Sequence, residues 1–262
     1  MKTPYILAIS SFAVHGTASL KTFITFLGDK ILPVPSLMLN GLTNMSLVKK
    51  FDVPFAELLQ STFDLAVNRD LELILYIGYL GNAAQADIIS EMITNYRSHI
   101  KTIITDPVCG DHGRTYVPAE VIAQWPTLVK QSDMVFPNLT ELKILTGYQP
   151  DDNQAIEVYA DQFEALYPNT QLVVTSVPTG NGISIMSYGG EFFIYEHTLL
   201  PKNFGGSGDA FLSLFMLNHF YGHLSFNGAL ALAGEQTYRI IENTIANNST
   251  DLILTIPEIN KL

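Results

Sequence analysis

Short apolar runs alternate with amphipathic segments along most of the chain. Runs that are apolar at successive positions predict strands at 5–10, 31–39, 71–78, 102–108, 133–138 and 171–177. Between them, apolar residues recur at helical spacing at about 17–27, 54–68, 83–98, 118–130, 140–146 and 153–166. Strands that are apolar on both faces and alternate with helices are typical of a parallel sheet covered on both sides. The pattern therefore predicts an α/β fold with a mostly parallel central sheet.

The last third of the chain departs from this alternation. The segments "GISIMSY" and "EFFIYEH" are joined by Gly189 and Gly190, which predicts a β-hairpin. Helical patterns follow at about 207–221 and 225–247. Because no repeat, low-complexity tract or Pro/Gly-rich linker divides the chain, we expect one domain over residues 1–262.

Composition and charge narrow the class of protein. With 47% hydrophobic and 15% charged residues, the sequence is that of a globular protein. Its formal net charge of −11 argues against nucleic-acid binding, which needs a basic face, but leaves room for a nucleotide ligand. The apolar runs are too short to cross a bilayer, and the single cysteine, Cys109, fits a reducing compartment. We therefore expect a cytoplasmic protein without nucleic-acid or membrane partners.

Polar residues gather where the predicted strands end. They are Ser10, Ser11, Tyr79, Asp106, Asn138, Thr175 and Ser176, followed later by a glycine-rich turn. Ligands of open α/β sheets bind beyond the carboxyl ends of the strands. The sequence therefore predicts a ligand site at this edge of the sheet.

The turn "GGSGDAF" has the composition of an anion-binding helix start. There the N–H groups of Gly206, Ser207 and Gly208 would converge on one point, with the helix dipole behind them. Such a point stabilises negative charge on a transferring phosphoryl group, while Asp209 could accept a proton from a substrate hydroxyl. The alternative is a glycine-rich loop in which Asp209 only caps the helix. The G-x-x-x-x-G-K-[ST] motif of P-loop kinases is absent from the sequence.

Two further motifs carry carboxylates. In "DPVCGDHGRTYVP", Asp106 and Asp111 could hold Mg²⁺ through water, although a turn explains Asp111 and His112 better. In "FPNLTELKILTG", Asn138 lies near a helix N-cap and Glu141 lies in the first turn. A capping arrangement would account for this pair, and so would a place near an Mg²⁺–phosphate cluster.

Taken in order, the motifs "AISSFAVHG", "GYLG", "DPVCGDHGRTYV", "PNLTELKILTG" and "GGSGDAF" resemble the ribokinase-like superfamily, and within it the pyridoxal kinase family. The resemblance spans nearly the whole chain. It implies a three-layer α/β/α sandwich and ATP-dependent phosphorylation of the 5′-hydroxyl of pyridoxal, pyridoxine or pyridoxamine. It also implies Mg²⁺ and a homodimer, and leaves open a monovalent cation.

The resemblance assigns roles to matching residues. Asp209 matches the catalytic base, and Gly206, Ser207 and Gly208 match the anion hole. Asp106 and Glu141 match the residues near the metal, and Asn138, Thr175 and Ser176 fall at the nucleotide. Ser11, Thr43 and Tyr79 fall where the family lines the pyridine pocket.

Departures from the family pattern keep other functions open. The turn reads GSGD instead of GTGD, and "GTASLK" lacks the second glycine that often follows the one at Gly16. Phe12 and His15 replace the usual residues around the pyridine ring. A hydroxymethylpyrimidine kinase of the same superfamily is the alternative, and a non-catalytic B6-binding protein is a third reading.

Overall fold

The strands predicted from the apolar runs build one continuous sheet. The structure is a computed structural model that describes residues 3–43, 45–180, 182–189 and 193–255. In chain order the strands are β1 Tyr5–Ala13, β2 Ile31–Leu39, β3 Lys50–Phe51, β4 Leu73–Ile77, β5 Ile100–Thr105, β6 Gly110–Asp111, β7 Arg114–Thr115, β8 Met134–Val135, β9 Gln171–Thr179, β10 Gly182–Tyr188 and β11 Phe193–Thr198.

Helices connect these strands and close the chain. They are α1 Leu20–Leu27, α2 Phe55–Asn68, α3 Ala84–Tyr96, α4 Ala119–Ile122, α5 Trp125–Val129, α6 Leu139–Leu145, α7 Ile156–Leu166, α8 Ser207–Met216 and α9 Phe226–Ala246. Single 3₁₀ turns cover Gly28–Lys30 and Arg97–His99, and a π-helical turn, Leu217–Tyr221, follows α8.

The sheet order is β11-β10-β9-β8-β5-β4-β1-β2-β3, and β6 and β7 form a separate small hairpin. Pairing is parallel from β2 through β1, β4, β5 and β8 to β9. At the two ends of the sheet pairing is antiparallel, between β2 and β3 and from β9 through β10 to β11. The chain leaves β1 towards β2 on one side, and later returns to place β4 on the other side. This topological switch point lies between β1 and β4.

Alternate strand residues enter two separate hydrophobic cores, one on each face of the sheet. Leu7 and Ile9 of β1 pack with α2, α3, α5, α6 and α7. Their neighbours Ile6 and Ala8 pack on the opposite face with α1, α8 and α9. Because side chains alternate between the two faces of a strand, each strand contributes to both cores, and the result is the expected three-layer α/β/α sandwich.

Some predicted element bounds are wrong, for local reasons. The helix predicted over 118–130 is divided into α4 and α5, and Pro126 lies at the start of α5, where its missing N–H does no harm. The helix predicted over 207–221 ends at Met216 and continues as the π-helical turn. The hairpin is confirmed by the pairing of β10 with β11, whereas Gly190 of its predicted turn lies outside the described residues.

None of the helices in the described ranges combines the length and apolarity that a membrane-spanning segment requires.

Candidate active site

The polar residues singled out from the sequence lie at the carboxyl edge of the parallel strands. Ser11 lies near the end of β1, and Tyr79 and Asp106 follow β4 and β5 closely. Hydrogen bonds bind these strand ends together, from Gly78 N–H to Ile9 O and from Asp106 N–H to Ile77 O. The first loop, residues 14–19, and the glycine turn before α8 meet at the same edge.

The glycine turn is held against the first loop. Gly206 is the N-cap residue of α8 and has φ 89°, a left-handed conformation that favours glycine. A Cβ atom there would lie 2.3 Å from the carbonyl oxygen of Thr17. Glycine is therefore required at position 206 both by the backbone conformation and by this contact.

The first turn of α8 offers amides to an anion. Helical geometry leaves the first N–H groups of a helix without intrahelical partners, and the dipole favours negative charge there. Ser207 N–H makes only a long contact of 3.4 Å with Phe204 O. Ser207 and Gly208 both line the large cavity described below. The anion site expected at 206–208 stays a prediction.

Asp209 is held by the first loop. Its Oδ2 accepts a hydrogen bond from the backbone N–H of Ser19 at 2.8 Å. Burial raises the pKa of the Asp209 carboxyl, and the Ser19 N–H opposes this shift by stabilising the ionised form. Desolvation thus opposes the stabilisation that the helix dipole would give to the ionised form of Asp209.

Two of the residues expected at the acceptor pocket are tied into the same edge. Ser11 is buried, and its hydroxyl donates to Ser19 Oγ at 2.8 Å. The amide of Tyr79 donates to Ser10 Oγ, and its hydroxyl accepts from Lys50 Nζ at 3.5 Å.

The third, Thr43, is exposed beside Leu42. Leu42 belongs to a small apolar cluster with Tyr79, and a Cβ at Gly16 would lie 2.4 Å from Leu42 Cγ. The structure thus brings the segment around Thr43 next to Tyr79 and the first loop.

Glu141 is buried, with 2% of its surface exposed, and is surrounded by donors. Its Oε1 accepts from Cys109 N–H at 3.0 Å, and its Oε2 accepts from Asn138 N–H at 3.0 Å. Burial nevertheless raises the pKa of Glu141 to about 8, against the opposing effect of these backbone donors. Glu141 therefore anchors the loop after β5 as well as the start of α6.

Asp106 lies next to this group. Burial, together with repulsion from Glu141 and Asp209, raises the pKa of Asp106. A long hydrogen bond of 3.4 Å from the Tyr76 hydroxyl opposes the shift. Among the described residues, no group of three or more His, Cys, Asp or Glu side chains is arranged to hold a metal ion. The buried carboxylate of Glu141 and the half-buried carboxylate of Asp106 suit Mg²⁺ that keeps several waters and reaches the site with a phosphate ligand.

Asn138 is engaged at both ends of its side-chain amide. Its Oδ1 accepts from Glu141 N–H at 3.0 Å and its Nδ2 donates to Gly110 O at 2.8 Å. Glu141 returns the contact, which completes a capping box at α6. The capping explanation for this motif is confirmed, and Asn138 has one amide hydrogen left for another partner.

A cavity of about 700 Å³ opens beside the glycine turn. Thr175 and Ser176 of β9 line it, together with Ser184, Thr237, Ser207 and Gly208. Ser176 has φ 57°, which is unusual for a residue with a Cβ. The cavity is therefore lined both by two of the residues expected at a nucleotide and by the glycine turn.

Asp111 ends β6, and His112 begins the exposed turn of the β6–β7 hairpin, as the turn explanation requires. Asp111 Oδ1 accepts from His112 N–H at 2.8 Å, and His112 has φ 49°. Both residues line the mouth of the cavity.

Sequence reasoning missed two residues of the site. The first is Ser19, which contacts Asp209. The sequence feature that could have pointed to it is the missing second glycine in "GTASLK". Tyr76 lies fully buried under Asp106 in β4, where the apolar run "LILYI" conceals it.

A mostly parallel sheet between two helical layers, with a glycine turn, two neighbouring acids and a cavity at its carboxyl edge, agrees with the ribokinase-like class that the motifs resemble. The sequence model of the phosphomethylpyrimidine kinase family matches residues 37–252. The chain belongs to this family.

Relatives and solved structures agree with this placement. The pyridoxal kinase of Arabidopsis thaliana is 27% identical over 230 residues, which cover 82% of this chain and 74% of that protein. A Bacteroides thetaiotaomicron protein described as a phosphomethylpyrimidine kinase is 25% identical, with a TM-score of 0.85 over 97% of this chain and 92% of that chain. A second crystal form of that protein contains pyridoxal. Pyridoxal kinase from Lactobacillus plantarum, 23% identical, shares the fold with a TM-score of 0.82 over 95% of this chain and 92% of its own. The resemblance to pyridoxal kinases drawn from the motifs is confirmed.

Proposed function

We propose that this protein transfers the γ-phosphoryl group of ATP to the 5′-hydroxyl of pyridoxal, pyridoxine or pyridoxamine. The observation that carries the proposal is the position of the glycine turn. Its residues Ser207 and Gly208 line the large cavity. Asp209 accepts a hydrogen bond from Ser19 of the first loop, and the Ser19 hydroxyl is hydrogen-bonded to Ser11 of β1. The glycine turn thus lies between the proposed nucleotide site and the proposed site of the acceptor alcohol.

The nucleotide belongs in the cavity of about 700 Å³, a volume typical of small-molecule sites. Its phosphates would meet the amides of 206–208, which stabilise the charge on the transferring phosphoryl group. Thr175 and Ser176 line the cavity. Asn138, the N-cap residue of α6, lies beside Thr175, because the backbones of these two residues form a parallel β-bridge. We assign these three residues to the nucleotide side.

The acceptor belongs beside Ser11, Thr43 and Tyr79. Ser11 is polar and buried, and Tyr79, an aromatic residue, donates its backbone N–H to the hydroxyl of the preceding residue, Ser10. Asp209 then takes the proton of the acceptor hydroxyl as its oxygen attacks the γ-phosphorus. The protein acts mainly by alignment and by fixed charge.

Asp106 and Glu141 would hold Mg²⁺, directly or through water. Bound there, the ion would neutralise charge on the phosphates. Without it, burial raises the pKa of both acids, and repulsion from Glu141 raises that of Asp106 further. The monovalent cation that the resemblance leaves open has no assigned residues.

The function is tested by measuring ADP release from Mg-ATP with pyridoxal, pyridoxine, pyridoxamine and hydroxymethylpyrimidine in parallel. Turnover with a B6 vitamer that is lost in Asp209→Asn supports both the reaction and the base. Asp87→Asn is the matched control, because Asp87 is an exposed acid in the first turn of α3. Nucleotide binding without turnover of any acceptor would favour the non-catalytic reading and contradict the proposal.

A hydroxymethylpyrimidine kinase is the second candidate. It is favoured by the description of the matching family and of the Bacteroides thetaiotaomicron protein. The crystal form of that protein with pyridoxal favours the B6 acceptor instead. Turnover of the pyrimidine alone would keep the mechanism and change the substrate.

The homodimer implied by the resemblance remains a proposal. Sedimentation equilibrium at micromolar concentration tests it, and a mass of one chain would contradict it.

A further inference from the structure

The first loop is in close contact with the catalytic turn. A Cβ atom on Gly206 would lie only 2.3 Å from Thr17 O. Two residues later, Ser19 N–H donates to Asp209 Oδ2 at 2.8 Å. These residues are 190 positions apart in sequence. The loop therefore covers the turn and reaches the carboxylate that follows it.

Ser19 has a backbone conformation that disfavours any residue with a side chain. Its φ is 51° and its ψ is −139°, a region that glycine adopts far more readily. Strained conformations of this kind persist where the surroundings hold them, and they concentrate at functional sites. Ser19 is thus held in place by its contacts against its own preference.

All the polar groups of Ser19 are engaged. Its N–H binds Asp209, and its carbonyl accepts from Thr22 N–H at 2.9 Å at the start of α1. Its hydroxyl accepts from Ser11, so it forms no side-chain cap for α1. A chain of hydrogen bonds therefore runs from the acceptor pocket at Ser11 through Ser19 to Asp209.

We propose that Ser19 is a positioning residue for phosphoryl transfer: its N–H holds Oδ2 of Asp209, and the bond from Ser11 keeps that N–H in place. This inference rests on the proposed function. Oδ1 is then the oxygen that receives the proton. The acceptor O–H bond breaks as its oxygen bonds to the γ-phosphorus, the proton passes to Oδ1, and ADP leaves.

The decisive experiment removes one hydrogen. Ser19→Ala is compared with the same variant in which the peptide nitrogen of residue 19 is replaced by an ester oxygen. Loss of a hydrogen bond to a charged group should lower kcat by about tenfold or more in the ester relative to Ser19→Ala, with the KM for ATP unchanged. Equal kcat values in the two proteins would overturn the proposal.

Ser19→Gly tests the hydroxyl separately. This variant keeps the N–H, removes the bond from Ser11 and relieves the unfavourable φ. We expect thermal stability at or above that of the unaltered protein, together with a kcat lowered by a few-fold. An unchanged kcat would show that the Ser11 bond serves structure alone.

A measurement on the resting protein separates this inference from the proposed function. The amide proton resonance of Ser19 should move upfield in Asp209→Asn, because a neutral side chain is a weaker acceptor than a carboxylate. An unmoved resonance would overturn the contact whether or not the protein is a kinase. Conversely, a shifted resonance in a protein that phosphorylates no acceptor would refute the proposed function and leave the contact standing.

Discussion

At the scale of single residues, glycine is required at position 206 for two physical reasons, and the sequence motif indicates only the first of them. The motif predicts a glycine because amides must approach an anion. The structure adds a second reason, since the Cβ of any other residue would meet Thr17 O at 2.3 Å. That contact also places Ser19 against Asp209.

Gly206→Ala should therefore abolish most turnover, because the first loop must move away from Asp209. Gly147→Ala is the matched control: Gly147 has φ 83°, close to the 89° of Gly206, but nothing lies within 4 Å of the position that a Cβ would take there. Both variants should lose stability, by roughly 1 kcal/mol from backbone strain alone. Only Gly206→Ala should lose kcat by more than about tenfold. Equal kcat in the two variants, measured by ADP release, would contradict the argument.

Asp209 shows how the balance of effects at one residue decides its chemistry. Burial raises the pKa of its carboxyl and the Ser19 N–H lowers it. A base that must be ionised to accept a proton gains from the second effect. Asp209→Asn keeps the shape and removes the basicity, so kcat should fall by about 10² to 10⁴ while nucleotide affinity persists. Isothermal titration with an unhydrolysable ATP analogue checks the affinity, and its loss would point to a structural role instead.

At the scale of elements, α6 is a short helix whose start is unusually well satisfied. Asn138 and Glu141 form a reciprocal capping box, and Asn138 Nδ2 also binds Gly110 O. The loop after β5 and the start of α6 are thereby one unit, so a change at the cap should be transmitted to Asp106, which begins that loop.

Asn138→Ala should lower the free energy of unfolding by about 1 to 2 kcal/mol, at the upper end for an N-cap residue. Ser225→Ala is the comparison, because Ser225 caps α9 through a single bond to Gly228 N–H at 3.2 Å. Urea unfolding of both variants measures the two costs. A larger loss in Ser225→Ala would contradict the importance given to the capping box.

Elements with strong local signals were predictable, and those set by distant contacts were not. The run at 31–39 is β2 with the same bounds, since apolar residues and flanking polar residues mark both ends. By contrast, β3 has only two residues, both exposed, and exists because it pairs with Met38 and Leu39.

The candidate site likewise contains residues that were predictable from the sequence and a contact that was not. Asp209, Glu141 and Asn138 stand in motifs with recognisable spacing. The bond from Ser19 to Asp209 depends on how the sheet places the first loop over α8, which no local pattern records.

At the scale of the whole molecule, the acidic character of the chain extends into the site. The chain has 25 acidic and 14 basic residues, and Asp106, Glu141 and Asp209 lie close enough to affect the titration of one another or of Tyr76 between them. None of the described ion pairs involves these three acids. The site concentrates negative charge, which stabilises a bound cation at the expense of the metal-free protein.

The metal-free protein should consequently lose stability as the pH rises from about 4.5 to about 8. Burial raises the pKa of Glu141 from 4.5 to about 8 and also raises those of Asp106 and Asp209. Between the ordinary and the raised values the folded chain binds more protons than the unfolded chain. The free energy of unfolding then falls with pH, by up to about 1.4 kcal/mol per pH unit for each proton.

Thermal unfolding in EDTA at pH 5.5, 6.5 and 7.5 measures this slope. Glu141→Gln should flatten it, because an amide does not ionise, whereas Glu157→Gln in the exposed first turn of α7 should leave it unchanged. A stability that is constant or rises over this range in the unaltered protein would mean that burial does not raise the pKa values of these acids. If the slope is found, restoring Mg²⁺ together with an ATP analogue should reduce it, because a cation between the carboxylates stabilises their ionised forms.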